Sequence, residues 1–144
     1  MTYYLSLGAN LGERELMLRR ALQMIEQQVG FVRRCSSFFY SAPWGFESEH
    51  SFCNLCCAVD STLSPLDVLH STQAIERALG RTHKSTITNL QSTIYSDRPI
   101  DIDLIRLFDG DKELYIDLTE LHIPHPLWTQ RDFVKVPLAE IMPQ

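Results

Sequence analysis

The stretch "DRPIDIDLIRLF" (residues 97–108) decides the fold, because it is a buried strand with two carboxylates at its head. Strand side chains alternate with period two, so Asp101 and Asp103 share a face. Continued regularly, that face takes in Ile105 and Leu107, and Ile100, Ile102 and Leu104 line the other. A strand apolar on both faces belongs in the interior of a sheet. Its acidic end must then emerge from the core with two like charges close together, which is unfavourable unless a cation sits beside them.

Upstream, "YYLSL" predicts a first strand that breaks at "GANLGE". Leu18, Ala21, Leu22, Ile25 and Val29 form the buried stripe of a helix ending at Gly30. "FVRRCSSFFYS" suits one long second strand, "SAPWGFESEHS" a loop and "FCNLCCAVDST" a third strand. "LSPLDVL" starts a second helix, with Ser64 as N-cap, Pro65 in the first helical position and Asp67 in the first turn. That helix stops at Gly80. Residues 81–99 form a long polar connection of the kind that serves as a lid or lacks order. After the strand of interest, "FDGD" turns into a strand around "ELYID". A proline-punctuated approach then leads to a short helix near "VPLAEI". The order β-α-β-β-α-β implies a ferredoxin-like α+β sandwich, helices gathered on one face, with an appended hairpin and a short C-terminal helix. One domain is expected over residues 1–144.

Composition narrows the function. The formal net charge of −5 argues against general nucleic-acid binding. "MTYYLSLGAN" has neither a charged start nor a long apolar run, so neither a signal peptide nor a membrane span is expected. A cytoplasmic monomer is the expectation. Cys35, Cys53, Cys56 and Cys57 fit that compartment as small hydrophobes, and the CxxC in "CNLCC" lacks a second pair to complete a zinc site. "GANLGER" is not followed by GK[ST] and is not GxGxxG, so a tight strand-to-helix turn accounts for it.

Asp101 and Asp103 admit two readings, a solvated strand end or a Mg²⁺ site. Magnesium takes a couple of carboxylates, keeps waters and completes its shell with substrate phosphates. The cationic or titratable neighbours are Arg98 in the loop feeding the strand, Arg81 and Lys84 after the second helix, and His125 and Arg131 around the proline-rich segment. Together they could neutralise a polyphosphate.

Taken in order, "LGANLGE", "SSFFYSAPWG", "FCNLCCAV", "QAIERALGR", "DRPIDIDLI" and "IPHPLWTQRDFVKVPLAEI" resemble the 6-hydroxymethyl-7,8-dihydropterin pyrophosphokinases over nearly the entire chain. The resemblance implies transfer of pyrophosphate from ATP to the pterin's hydroxymethyl oxygen, with release of AMP and two Mg²⁺ ions on Asp101 and Asp103. It implies catalytic or nucleotide contacts from Arg81, Arg98, Glu76, His125 and Arg131, Glu76 being equally open to a plain helix-surface role. It also implies pterin contacts from Ser41, Ala42, Trp44, Phe52, Asn54 and Phe133. Phe52 and Asn54 are two apart in a strand and therefore share a face, which fits recognition of a flat heteroaromatic ring. The chain departs from the family pattern in a longer 81–98 loop, in Tyr95, His83 and Pro126, and in "GAN" for "GSN". Those changes bear on loop closure and turnover, and leave two alternatives open. One is a noncatalytic pterin- or nucleotide-binding module; the other is a different metal-dependent phosphotransferase or hydrolase.

Overall fold

The computed structural model of the protein describes residues 1–41, 51–80 and 100–143. Its axis is β1 (Thr2–Ala9), which pairs antiparallel with β4 (Phe52–Asp60) on one edge and β5 (Asp101–Asp109) on the other. β2 (Phe31–Cys35) and β3 (Phe39–Ser41) both pair with β4, and β6 (Lys112–Leu114) pairs with the end of β5. The sheet order is β2-β4-β1-β5-β6. Each βαβ unit therefore leaves room for one antiparallel strand between its two strands, which is the ferredoxin-like arrangement.

Alternation along β1 separates two cores. Tyr3, Leu5, Leu7 and Ala9 are fully buried with Cys53, Leu55, Cys57 and Val59 of β4. Helices α1 (Arg14–Gln28) and α2 (Pro65–Ala78) cover that side through Leu18, Ala21 and Ile25 and through Val68 and Ile75. As its sequence suggested, α2 begins at Ser64, whose hydroxyl accepts the Asp67 N–H at 3.2 Å. Tyr4, Cys56, Ala58 and Ile105 form a second core beneath α3 (Asp132–Ile141), with Val134, Leu138 and Ile141 of that helix. The helices thus occupy both faces. α1 and α2 share one as expected, and the C-terminal helix closes part of the other.

Four boundaries differ from the sequence reading. β1 runs through Gly8 to Ala9, because both remain in register with β4 and Gly8 also with β5. The expected long second strand is two strands, separated at Ser36. There the ladder to Cys56 is kept by Ser36 itself, whose N–H donates to the Cys56 carbonyl at 2.8 Å while its hydroxyl accepts the Cys56 N–H at 2.9 Å. α3 starts at Asp132, well before "VPLAEI", since Val134 as well as Leu138 and Ile141 finds the second core. "ELYID" divides into β6 and β7 (Ile116–Asp117), the latter pairing with β8 (His122–Ile123) in a separate two-stranded sheet.

The deciding strand itself carries a bulge. Leu5 opposes Leu104 but Tyr4 opposes Arg106, so Ile105 is an extra residue. One inserted residue reverses the alternation. Ile105 enters the core under α3, and Leu107 returns to the α1/α2 side with Ile102 and Leu104, not to the side of Asp101 and Asp103 as regular alternation required.

Beyond the bulge, Arg106 holds the β5–β6 hairpin. Its guanidinium donates to both Glu113 oxygens at 2.8 and 2.7 Å and lies 5.0 Å from the Phe108 ring centre and 5.3 Å from that of Trp128. Both partners are mostly shielded from water, and Arg106 holds Glu113 below the usual carboxylate range. Arg106→Ala is expected to destabilise the fold by about 1–3 kcal/mol. The check is a shift in urea midpoint with an unchanged slope.

Candidate functional site

On the sheet face that carries α3, four strands bring distant residues into rows. Gly8 opposes Asn54 on one side and Asp101 on the other, and Phe39 opposes Asn54 from β3. One row thus runs Phe39–Asn54–Gly8–Asp101. The next runs Cys56–Ser6–Asp103. With neighbouring strands about 4.8 Å apart, roughly 10 Å separates the backbones of Asn54 and Asp101. Gly8 lies midway.

Gly8 is buried, and the space where its side chain would stand is taken by Asn54 and Phe52. A Cβ at residue 8 would stand 2.9 Å from Asn54 Oδ1 and 3.6 Å from Phe52 Cδ1. The Asn54 amide therefore leans over Gly8 with its carbonyl oxygen, and Phe52 borders the same spot. The amide nitrogen faces β3, donating to the Phe39 carbonyl at 3.0 Å and to Ser41 Oγ at 2.8 Å. Asn54 is almost fully buried, and these bonds determine which way its amide points. Sequence reading missed Gly8, taking it for part of a turn. The available signal was a glycine at the position where strand alternation places it on the polar face.

Asp101 and Asp103 head β5, half-buried and on one face, as the period-two reading required. Behind them stands Glu76, buried on α2, whose Oε2 accepts the Ile102 N–H at 2.8 Å. That amide is the peptide linking Asp101 to Ile102, so Glu76 secures the backbone between the two carboxylates. It is not a helix-surface carboxylate.

The proline-rich segment lies along the outer edge of β5, where the His125 N–H donates to the Ile105 carbonyl at 2.9 Å. His125 Nδ1 accepts the Leu127 N–H at 3.2 Å, so the neutral ring carries its proton on Nε2. Burial, reinforced by Arg131, lowers its pKa from the ordinary 6.5, and Asp101 pulls it upward. His125 is consequently a neutral Nε2–H donor near pH 7, more than a cation. Arg131 stands at the start of α3 with its guanidinium carbon 5.6 Å from the centre of the Phe133 ring. Phe133 is half-buried against the second core.

The fold thus brings Asn54, Phe52, Asp101 and Asp103 to one sheet face around Gly8, ties Ser41 to Asn54, and sets Glu76 and His125 along β5. Ala42, Trp44, Arg81 and Arg98 lie outside the described residues, as do Lys84, His83 and Tyr95. Among the described residues no group of three or more His, Cys, Asp or Glu side chains could hold a metal, and no helix is long and apolar enough to cross a membrane. Two carboxylates on one face are nonetheless a donor set suited to Mg²⁺, which needs few protein ligands.

Comparison with known proteins gives a concordant picture. The family described as 7,8-dihydro-6-hydroxymethylpterin-pyrophosphokinase (HPPK) matches residues 4–143. The chain is 48% identical over 140 residues to the 2-amino-4-hydroxy-6-hydroxymethyldihydropteridine pyrophosphokinase of Porphyromonas gingivalis, covering 97% of this chain and 90% of that one. It is 34% identical over 142 residues to the enzyme of the same name from Bacillus subtilis, covering 98% and 78%. Among solved structures, HPPK-DHPS in complex with substrates aligns with a TM-score of 0.67 at 14% identity, and Plasmodium falciparum HPPK-DHPS with 0.66 at 17%. These alignments cover 97% and 99% of this chain but 40% of each of those, and they establish the shared fold.

The buried His125 makes stability depend on pH. Its folded-state pKa lies below the unfolded value, so the unfolded chain takes up a proton that the folded ring refuses. Stability from this group is complete above pH 6.5 and is lost as pH falls from there through the lowered folded value. Urea midpoints of the nucleotide-free protein should decline across that window, and His125→Gln should flatten the decline. Parallel curves for the two proteins would contradict the assignment.

Proposed function

The chain belongs to the hydroxymethyldihydropterin pyrophosphokinase family, and on that premise we propose how its residues carry out the family's reaction. The protein is an ATP-dependent enzyme that transfers pyrophosphate from ATP to 6-hydroxymethyl-7,8-dihydropterin in folate synthesis. The pterin hydroxyl oxygen forms a bond to the β-phosphorus, the bond from that phosphorus to the α,β-bridging oxygen breaks, and AMP leaves. The observation that carries our assignment of roles is the row Asn54–Gly8–Asp101, which sets an amide and an aromatic ring beside one end of a glycine floor and a carboxylate beside the other.

In this reading the pterin lies over Gly8 against Asn54, with Phe52 and Phe133 supplying flat apolar surface and residues 41, 42 and 44 completing its contacts. Because the Asn54 nitrogen donates to β3, it is Oδ1 that meets the ring, accepting from a pterin N–H. Asp101 and Asp103 would hold Mg²⁺, two ions by the family resemblance, which neutralises phosphate charge when bound. Glu76 keeps the two carboxylates in register through the Ile102 N–H. It acts on the nucleotide half of the site from behind.

His125 donates Nε2–H to a phosphate oxygen, and Arg131 adds fixed positive charge beside it. Arg81 and Arg98 are assigned to the nucleotide phosphates on the resemblance alone. Catalysis then consists of aligning the hydroxyl with the β-phosphorus and offsetting developing charge. A cytoplasmic monomer remains our proposal for the working form.

The deciding assay is AMP release from ATP and Mg²⁺ with and without the pterin. AMP should appear only with the pterin, and Asp101→Asn or Asp103→Asn should abolish it. Near-normal rates in both variants would remove the metal assignment. AMP made equally without pterin would point to a hydrolase.

The glycine floor gives a separate prediction. Gly8→Ala sets a methyl group against Asn54 Oδ1 and the edge of Phe52. Pterin affinity should fall about tenfold or more, and affinity for a nonhydrolysable ATP analogue with Mg²⁺ should stay within about twofold. Equal losses for both ligands would show that the residue serves the sheet and not the pterin.

A further inference from the structure

The first turn of α1 grips both stems of the segment that joins β3 to β4. Arg14 Nη1 donates to the Ser51 carbonyl and to Ser51 Oγ, each at 2.7 Å. The same guanidinium lies 5.4 Å from the centre of the Tyr40 ring. The Tyr40 hydroxyl in turn donates to Glu15 Oε2 at 2.7 Å, and Arg14 Nη2 stands 3.9 Å from that same oxygen. Tyr40 and Ser51 flank the last register pair of the two strands, Ser41 opposite Phe52. A charge-bearing cluster from one helix therefore ties together the two chain ends next to Ser41 and Phe52.

The cluster lies on the far side of the sheet from the site. Tyr40 opposes Cys53, which belongs to the core under α1 and α2, whereas Ser41, Phe52 and Asn54 turn to the other face. On that second face Asn54 binds Ser41 Oγ and the Phe39 carbonyl. The β3–β4 end is thus held from both sides, by Asn54 on the substrate face and by Arg14 and Glu15 behind it. The hydroxyl bond holds Glu15 below the usual carboxylate range and pushes Tyr40 up to about 12, so neither changes charge near neutrality.

We propose that Arg14, acting with Glu15 through Tyr40 and Ser51, is a positioning residue for the pterin half of the site and sets where Phe52 and Asn54 meet the ring. The inference rests on the pterin assignment above. In the nucleotide half, Glu76 accepts the Ile102 N–H and the His125 N–H donates to the Ile105 carbonyl, and neither contact involves this cluster. The expected signature is therefore a split between substrates, which a general loss of stability does not produce.

The test measures dissociation constants for the pterin and for an ATP analogue with Mg²⁺, together with both KM values, in the full-length enzyme. Arg14→Ala should weaken the pterin about tenfold and leave the nucleotide within about twofold. Arg14→Lys, which keeps a donor but not the fork, should fall between. Tyr40→Phe removes the hydroxyl's contacts with Glu15 and Cys53 and should weaken the pterin a few-fold. It also supplies the answer if Arg14→Ala does not fold. Phe52→Ala and Asn54→Ala serve as reference. If they weaken the pterin but neither Arg14→Ala nor Tyr40→Phe does, or if pterin and nucleotide weaken together, the positioning role is wrong. If Phe52→Ala and Asn54→Ala leave pterin binding intact, the pterin assignment itself has failed.

Discussion

β1 is hydrogen-bonded to a strand on each edge along nearly its whole length, and the rest of the molecule depends on that constraint. A strand so placed has few backbone groups left to offer a ligand, so it contributes mainly through its faces. One face is wholly apolar and receives α1 and α2. The other carries Tyr4, Ser6 and Gly8, a series that passes from the core beneath α3 to a buried glycine under Asn54. Because β1 separates β4 from β5, Asn54 and Asp101 can approach each other only across it. Gly8, which has no side chain, lies between them.

β5 has the opposite problem. Its first residues pair with β1 on one edge, and among the described residues no strand pairs with them on the other, since β6 begins to pair only at Leu107. An exposed edge invites pairing with other chains. Here it is occupied by a carboxylate on the Ile102 N–H and by the His125 N–H on the Ile105 carbonyl. Both partners are residues that we assign to the nucleotide half in the proposed function. The buried Glu76 thus protects the strand edge from behind the two carboxylates. The bulge at Ile105 divides the strand's work, with carboxylates before it and the Arg106–Glu113 hairpin clamp after it.

Much of this was legible in the residues. Strand alternation correctly put Asp101 and Asp103 on one face, because those residues precede the bulge and local geometry alone governs them. The helix start at Ser64 was legible for the same reason, since capping is satisfied within a few residues. The split at Ser36 and the reach of α3 back to Asp132 were not. Each depends on a partner distant in sequence, Cys56 in the first case and the core of Tyr4, Ala58 and Ile105 in the second.

By itself the sequence determined the βαββαβ order of the main elements, the pairing of two carboxylates at a strand head and the family to which these motifs belong. All three follow from local periodicity and from residue types at given spacings. The tertiary structure alone decided that Gly8 is a buried strand residue and not part of a turn, that Leu107 leaves the face of the carboxylates, that Glu76 is buried behind them, and that Arg14 reaches Ser51. Those outcomes turn on register, on which residue of one strand faces which residue of another. A single inserted residue changes the face of everything after it, and no property of the strand read alone reports where that insertion falls.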